Sequence, residues 1–153
     1  MRSTGAELPS DCKLKKLMKR FHLIFGLIVV IVFLLTGQYM EYVHNRLLPD
    51  GTRMLYRSRH IYILLAGLLN LIIGTYFVLQ PRGWRRTLQL IGSILIILAP
   101  GLLLAGFFSE PRRGPNETKV AAFGIFAVAL GTLLHVLSGL RRKGQEAAIG
   151  KDS

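Results

Sequence analysis

The sequence predicts an all-α integral membrane protein of four transmembrane helices in an antiparallel up-down bundle, and three observations carry that reading. The first is where the charges sit. Of 153 residues, 28 are Asp, Glu, Lys or Arg, and none of them falls in the stretches 21–40, 61–80, 87–109 and 120–140, which together hold 84 residues. A soluble helix must turn a polar face to water and does not segregate charge so fully. The second is length. A bilayer core of about 30 Å needs roughly 20 apolar residues at about 1.5 Å per residue, and each stretch meets that. The third is the absence of alternation: Leu23–Leu35 and Ile94–Leu98 are unbroken apolar runs, whereas barrel strands alternate apolar and polar positions.

Residues 1–20 form a basic segment, in which Lys13–Arg20 reads as a helix extension along the lipid surface. Cys12, the single cysteine, precedes the first span and is expected to be a free thiol. A basic segment before an apolar run also describes a signal peptide. Here the run is long, and Thr36–Tyr39 offers no small-x-small cleavage site, so a retained helix is expected. On the first span, His22, Gly26, Val30, Phe33, Gly37, Glu41 and His44 recur at helical spacing along one face.

The second span places His60, Gly67 and Gly74 seven apart, with Ala66 and Asn70 adjoining. Pro81–Arg86 reads as a tight turn with Trp84 as an interfacial anchor. The third span contains Gly92, Ser93, Gly101 and Gly106, and Pro100 removes a backbone donor in mid-membrane. Such a kink is tolerated where a neighbour satisfies the freed carbonyl. Pro111, Gly114 and Pro115 mark the third turn; the Asn116–Thr118 glycosylation pattern there is too short to weigh. The fourth span carries Gly124, Ala127, Gly131 and His135, and 141–153 is a basic tail.

Lys and Arg near span ends set orientation. With the N-terminus inside, 13 lie inside and 7 outside, so both termini are expected to be cytoplasmic in a multi-pass inner (plasma) membrane protein. The net charge of +12 matches orientation and anionic head groups better than nucleic acid. A pump or transporter usually holds a charge inside the membrane, and none lies within these spans. Small four-span multidrug exporters depend on a glutamate well inside the first span, and Glu41 comes too late for that. Four-span glutathione-dependent transferases are similar in length and basicity, but Glu41–Arg46 lacks their string of Glu, Arg and Asn. No nucleophile–base pair or phosphate loop appears, and no metal site is expected.

Small and polar residues within the spans are the material of helix association in lipid. Gly37, Gly67, Asn70, Gly74, Pro100, Gly124 and Gly131 are therefore expected at helix interfaces, with Asn70 making an interhelical hydrogen bond. The leading expectation is a non-catalytic accessory or complex-forming subunit, without cofactor, whose partners are the bilayer and a second copy or a larger membrane complex. A second reading takes His22 with His135 and His44 with His60 as axial pairs for haem b, with glycines making room for the macrocycle. That plan resembles the four-helix membrane cytochromes b in architecture, without a shared motif. A third reads Arg53, Arg57 and Arg59, with Glu41 and Tyr56, as an anion or lipid-head-group site at the first loop.

Overall fold

The structure, a computed structural model, describes residues 9–43, 49–80, 83–113 and 119–139. It is all-helical over these segments: α1 Pro9–Val43, α2 Asp50–Tyr76, α3 Trp84–Arg113 and α4 Lys119–Gly139. All four are long and apolar enough to cross a membrane, with mean hydropathies of 2.4, 1.3, 2.4 and 2.2 over their most apolar windows.

The helices overrun the charge-free stretches because local sequence favours helix beyond the apolar core. α1 has 35 residues, about 52 Å at ~1.5 Å per residue, which exceeds a bilayer core by some 20 Å. Residues 9–20 of the basic segment are therefore part of the same helix as the apolar stretch. Arg86 Nη1 donates to Asp11 Oδ1 at 3.0 Å, fixing that extension beside the start of α3. α2 likewise begins at Asp50, where Pro49 supplies an extended N-cap backbone (φ −56°, ψ 147°) and accepts the Arg53 N–H at 3.1 Å.

α2 ends at Tyr76, before the last four residues of its apolar stretch, because Phe77 turns extended (φ −61°, ψ 117°). Buried Gln89 of α3 then takes over the backbone pairing of the connection. Its Nε2 donates to Val78 O at 2.8 Å, and its Oε1 accepts the Gln80 N–H at 3.0 Å. Gly83, at φ +134°, makes the turn into α3, and its carbonyl accepts the N–H groups of Arg86 and Thr87. That backbone region suits glycine and few other residues.

Packing is not uniform around the molecule. α1 packs on α2 and α3 on α4, while α2 and α3 join the two pairs; α1 and α4 share no extended face. Within each pair the contacts run in opposed order along the chain. Gly26 lies against Leu71, and Gly37 against His60; Gly92 lies against Gly131, and Gly106 against Ala121. These are backbone-close approaches. A Cβ on Gly74 would stand 2.7 Å from the Leu23 backbone nitrogen, and one on Gly131 would stand 2.6 Å from Ile96 Cγ1. Gly67 meets Val29 and Gly124 meets Leu103 in the same way, whereas Gly101 has nothing within 4 Å.

The core runs through Val29, Ile63, Ala66, Ala99, Leu103, Phe107 and Val128. Large apolar side chains also cover the outside: Ile24, Leu35, Leu98 and Phe126 are 57–72% exposed. Conversely, His22, Thr36, Arg59, Asn70, Ser93 and Glu110 are buried. Polar inside and apolar outside is the distribution that a lipid solvent selects.

Candidate functional site

The buried polar residues fall into three groups, spaced along the helices. The central one rests on Asn70, which is fully buried. Pro100 has no N–H, so the carbonyl of Ile96, four residues earlier, loses its helical donor. Asn70 Nδ2 supplies one from α2, at 3.2 Å, and also donates to Ala66 O at 2.9 Å. With both amide protons committed, Asn70 Oδ1 can only accept, and His22 Nδ1 lies 2.9 Å from it. The ring proton of His22 is thereby placed on Nδ1, and Asn70 bonds α2 to both α1 and α3. His22 Nε2 is left as a buried lone pair without a hydrogen-bond partner among the described residues.

The second group lies at the start of α2 and the end of α3. Arg59 Nε and Nη2 reach Glu110 Oε2 at 2.7 and 2.6 Å, and both side chains are only 3% exposed. Glu110 Oε1 accepts the Ala121 N–H at 2.9 Å, one of the donors that the first turn of α4 leaves unpaired, and Arg59 Nη1 donates to Leu55 O at 3.1 Å. The carboxylate thus complements the positive end of the α4 dipole while neutralising an arginine from α2. One ion pair ties three helices. Tyr56 is buried beside it, edge-on to Phe107 with ring centroids 5.2 Å apart.

The third group lies where α2 and α4 end. His135 Nε2 is 3.0 Å from Ser93 Oγ, joining α4 to α3. Phe77 packs against the rings of both His22 and His135, with centroids 6.1 and 6.3 Å away. A cavity of about 230 Å³ opens beside it, lined by Tyr76, Phe77, Gln80, Gln89, His135 and Ser138 together with Ile72, Ile73 and Val78.

The residues singled out from the sequence are distributed unequally among these groups. His22 and His135 share the third and central groups through Phe77. His60 lies apart from them: its Nδ1 is 3.0 Å from Thr36 Oγ1, and its ring stacks on Phe33 at 4.0 Å. The Thr36 hydroxyl proton goes to Phe33 O, so His60 is the donor to Thr36. His44 lies outside the described residues. Of the first-loop set, Arg59 is committed to Glu110, while Arg53 Nη2 donates to exposed Asp50 at 2.6 Å. Arg57 and Glu41 are exposed, and no hydrogen bond joins them among the described residues. The glycines expected to clear space for a macrocycle are instead filled by neighbouring helices at the distances given above. Among the described residues, no three His, Cys, Asp or Glu side chains come together as metal ligands.

Sequence reasoning gave no interhelical role to Glu110, Thr36 or Gln89, and named Ser93 only as a small residue of the third span. Glu110, like Glu41, directly follows a charge-free stretch, and that position was its available signal. Comparison with protein-family models, with curated proteins and with solved structures finds no match, so the functional reading rests on this geometry alone.

Proposed function

We propose that the protein is a polytopic inner-membrane protein that acts as a non-catalytic accessory or complex-forming subunit. Its four helices stand in an up-down bundle with both termini cytoplasmic. The observation that carries this reading is the commitment of the buried polar groups to neighbouring helices. His22–Asn70, His60–Thr36, His135–Ser93 and Arg59–Glu110 each join two helices, which spends these side chains on architecture rather than on a reaction. Its exposed apolar surface suits lipid, a second copy or a partner's helices. The test compares Gly74→Leu and Gly131→Leu with His44→Ala in detergent stability. The packing variants lose assembly and the histidine variant keeps it; the reverse result ends the scaffold reading. Reporter fusions at the two termini test the orientation.

One observation favours a second reading, haem b. With Nδ1–H held by Asn70, His22 presents an Nε2 lone pair, the form in which a histidine ligates iron. The surroundings do not fit the group, because the glycine clearances are filled and Phe77 lies against the ring. An optical spectrum after expression with ample haem separates the readings, since a Soret band would displace the first.

A further inference from the structure

We propose that the cavity between the ends of α2 and α4 binds the uncharged, carbonyl-bearing head of a lipid-phase molecule, with the apolar tail outside along the α2–α4 groove. The groove exists because both helices pack on α3 and barely touch each other. At about 230 Å³ the cavity is smaller than the roughly 300–1,000 Å³ of sites that enclose a whole small molecule. It fits a head and leaves the tail outside. Its mouth is suited to that tail, since Ile72 and Val78 are both exposed.

The chemistry of the lining selects the head. Among the described residues no charged side chain lines the cavity, which favours an uncharged group over a phosphate or a carboxylate. Ser93 is fully buried, and among the described residues His135 Nε2 is the one hydrogen-bonding neighbour of its hydroxyl. A buried hydroxyl proton requires an acceptor, so Ser93 donates to Nε2 and the ring proton of His135 sits on Nδ1. That N–H has no partner among the described residues, and His135 lines the cavity. Gln89 is not available to a ligand through its oxygen, which already holds the Gln80 N–H. Ser138 Oγ likewise gives its proton to His135 O at 2.7 Å. The His135 N–H thus offers a donor to an acceptor, and a carbonyl is an acceptor that lipid-phase molecules carry without charge. Two sources share that chemistry: the ring carbonyls of a quinone and the ester carbonyls of an uncharged glycerolipid.

The experiment uses the full chain in nanodiscs, titrated separately with a short-tailed benzoquinone and a short-chain diacylglycerol, with thermal stability as the readout. A saturable rise in Tm with the quinone alone, the glyceride alone or both supports the site and names its source. His135→Phe keeps the ring volume and removes the donor, and it should weaken binding about tenfold or more, the equivalent of one lost hydrogen bond of about 1.4 kcal/mol. Should that variant fail to fold, Ile72→Trp at the exposed mouth blocks entry without touching the His135–Ser93 bond, and it should abolish the shift. No saturable rise with either probe, or a rise that Ile72→Trp leaves unchanged, overturns the proposal.

Discussion

Replacing Asn70 by leucine tests whether a side chain on one helix stands in for the donor that proline removes from another. The substitution is close in size and deletes three hydrogen bonds of unequal weight. The bond to Ala66 O matters least, because that carbonyl already lies in the ladder of α2. The bond to Ile96 O is different, since residue 100 has no N–H to offer it. The bond to His22 leaves a buried Nδ1–H unpaired when it is lost. A buried polar group left without a partner costs about 1–3 kcal/mol, and interhelical bonds in membranes average about 0.6 and reach about 1.7 kcal/mol. Two orphaned groups therefore place the cost of Asn70→Leu at about 2–4 kcal/mol. Pro100→Ala restores a backbone N–H opposite Ile96 O, so in that background only the His22 bond is at stake and the cost falls to about 1–2 kcal/mol. The assay is reversible unfolding in mixed micelles of rising denaturing-detergent fraction, followed by far-ultraviolet circular dichroism, across the four members of the cycle. A coupling of about 1 kcal/mol is expected. Equal costs of Asn70→Leu in the two backgrounds would refute the substitution of one donor for the other.

Three further outcomes follow from the same packing. Glu110→Gln and Arg59→Met should each destabilise by about 3–5 kcal/mol, because each strands a buried charge. The double replacement Arg59→Met with Glu110→Leu should recover a large part of that loss in the same unfolding assay, and no recovery would mean that the pair is not one energetic unit. Gly92→Ala forces a Cβ to within 2.8 Å of Gly131 O and should lower stability, whereas Gly101→Ala meets nothing within 4 Å and should raise it by up to about 1 kcal/mol. If the two behaved alike, close approach would not be what Gly92 provides. Gly83→Ala at φ +134° should cost about 1–3 kcal/mol through backbone strain, read as a lower midpoint with unchanged helicity.

The number and type of helices were legible in the sequence because the bilayer imposes a local rule. Every backbone group in lipid must be paired within its own segment, so an apolar run of sufficient length becomes a helix whatever its neighbours do. That reasoning bounded the spans but not the helices. α1 and α2 continue well past their charge-free stretches, because helical propensity does not stop where water begins. The glycine stripes pointed to faces, and Gly67, Gly74, Gly124 and Gly131 do meet neighbouring helices closely. Which helix each glycine meets was beyond a stripe's reach.

The polar residues divide by the same logic. A first-loop arginine cluster could be counted from the sequence, but Arg59 finds its carboxylate 51 residues away in Glu110, and Asn70 finds the Ile96 carbonyl 26 residues away. Nothing local distinguishes Arg59, buried at 3% exposure, from Arg57 two positions earlier, which faces outward. A rotation of about 100° per residue separates successive side chains on a helix, and only contact with a second and third helix decides which of them is sealed inside. By itself, then, the sequence determined four helices: charges are kept out of four apolar runs, each long enough to cross a membrane. Tertiary structure decided the pairings, because a hydrogen bond or ion pair in an apolar interior exists only where two distant segments bring donor and acceptor within 3 Å or so of one another.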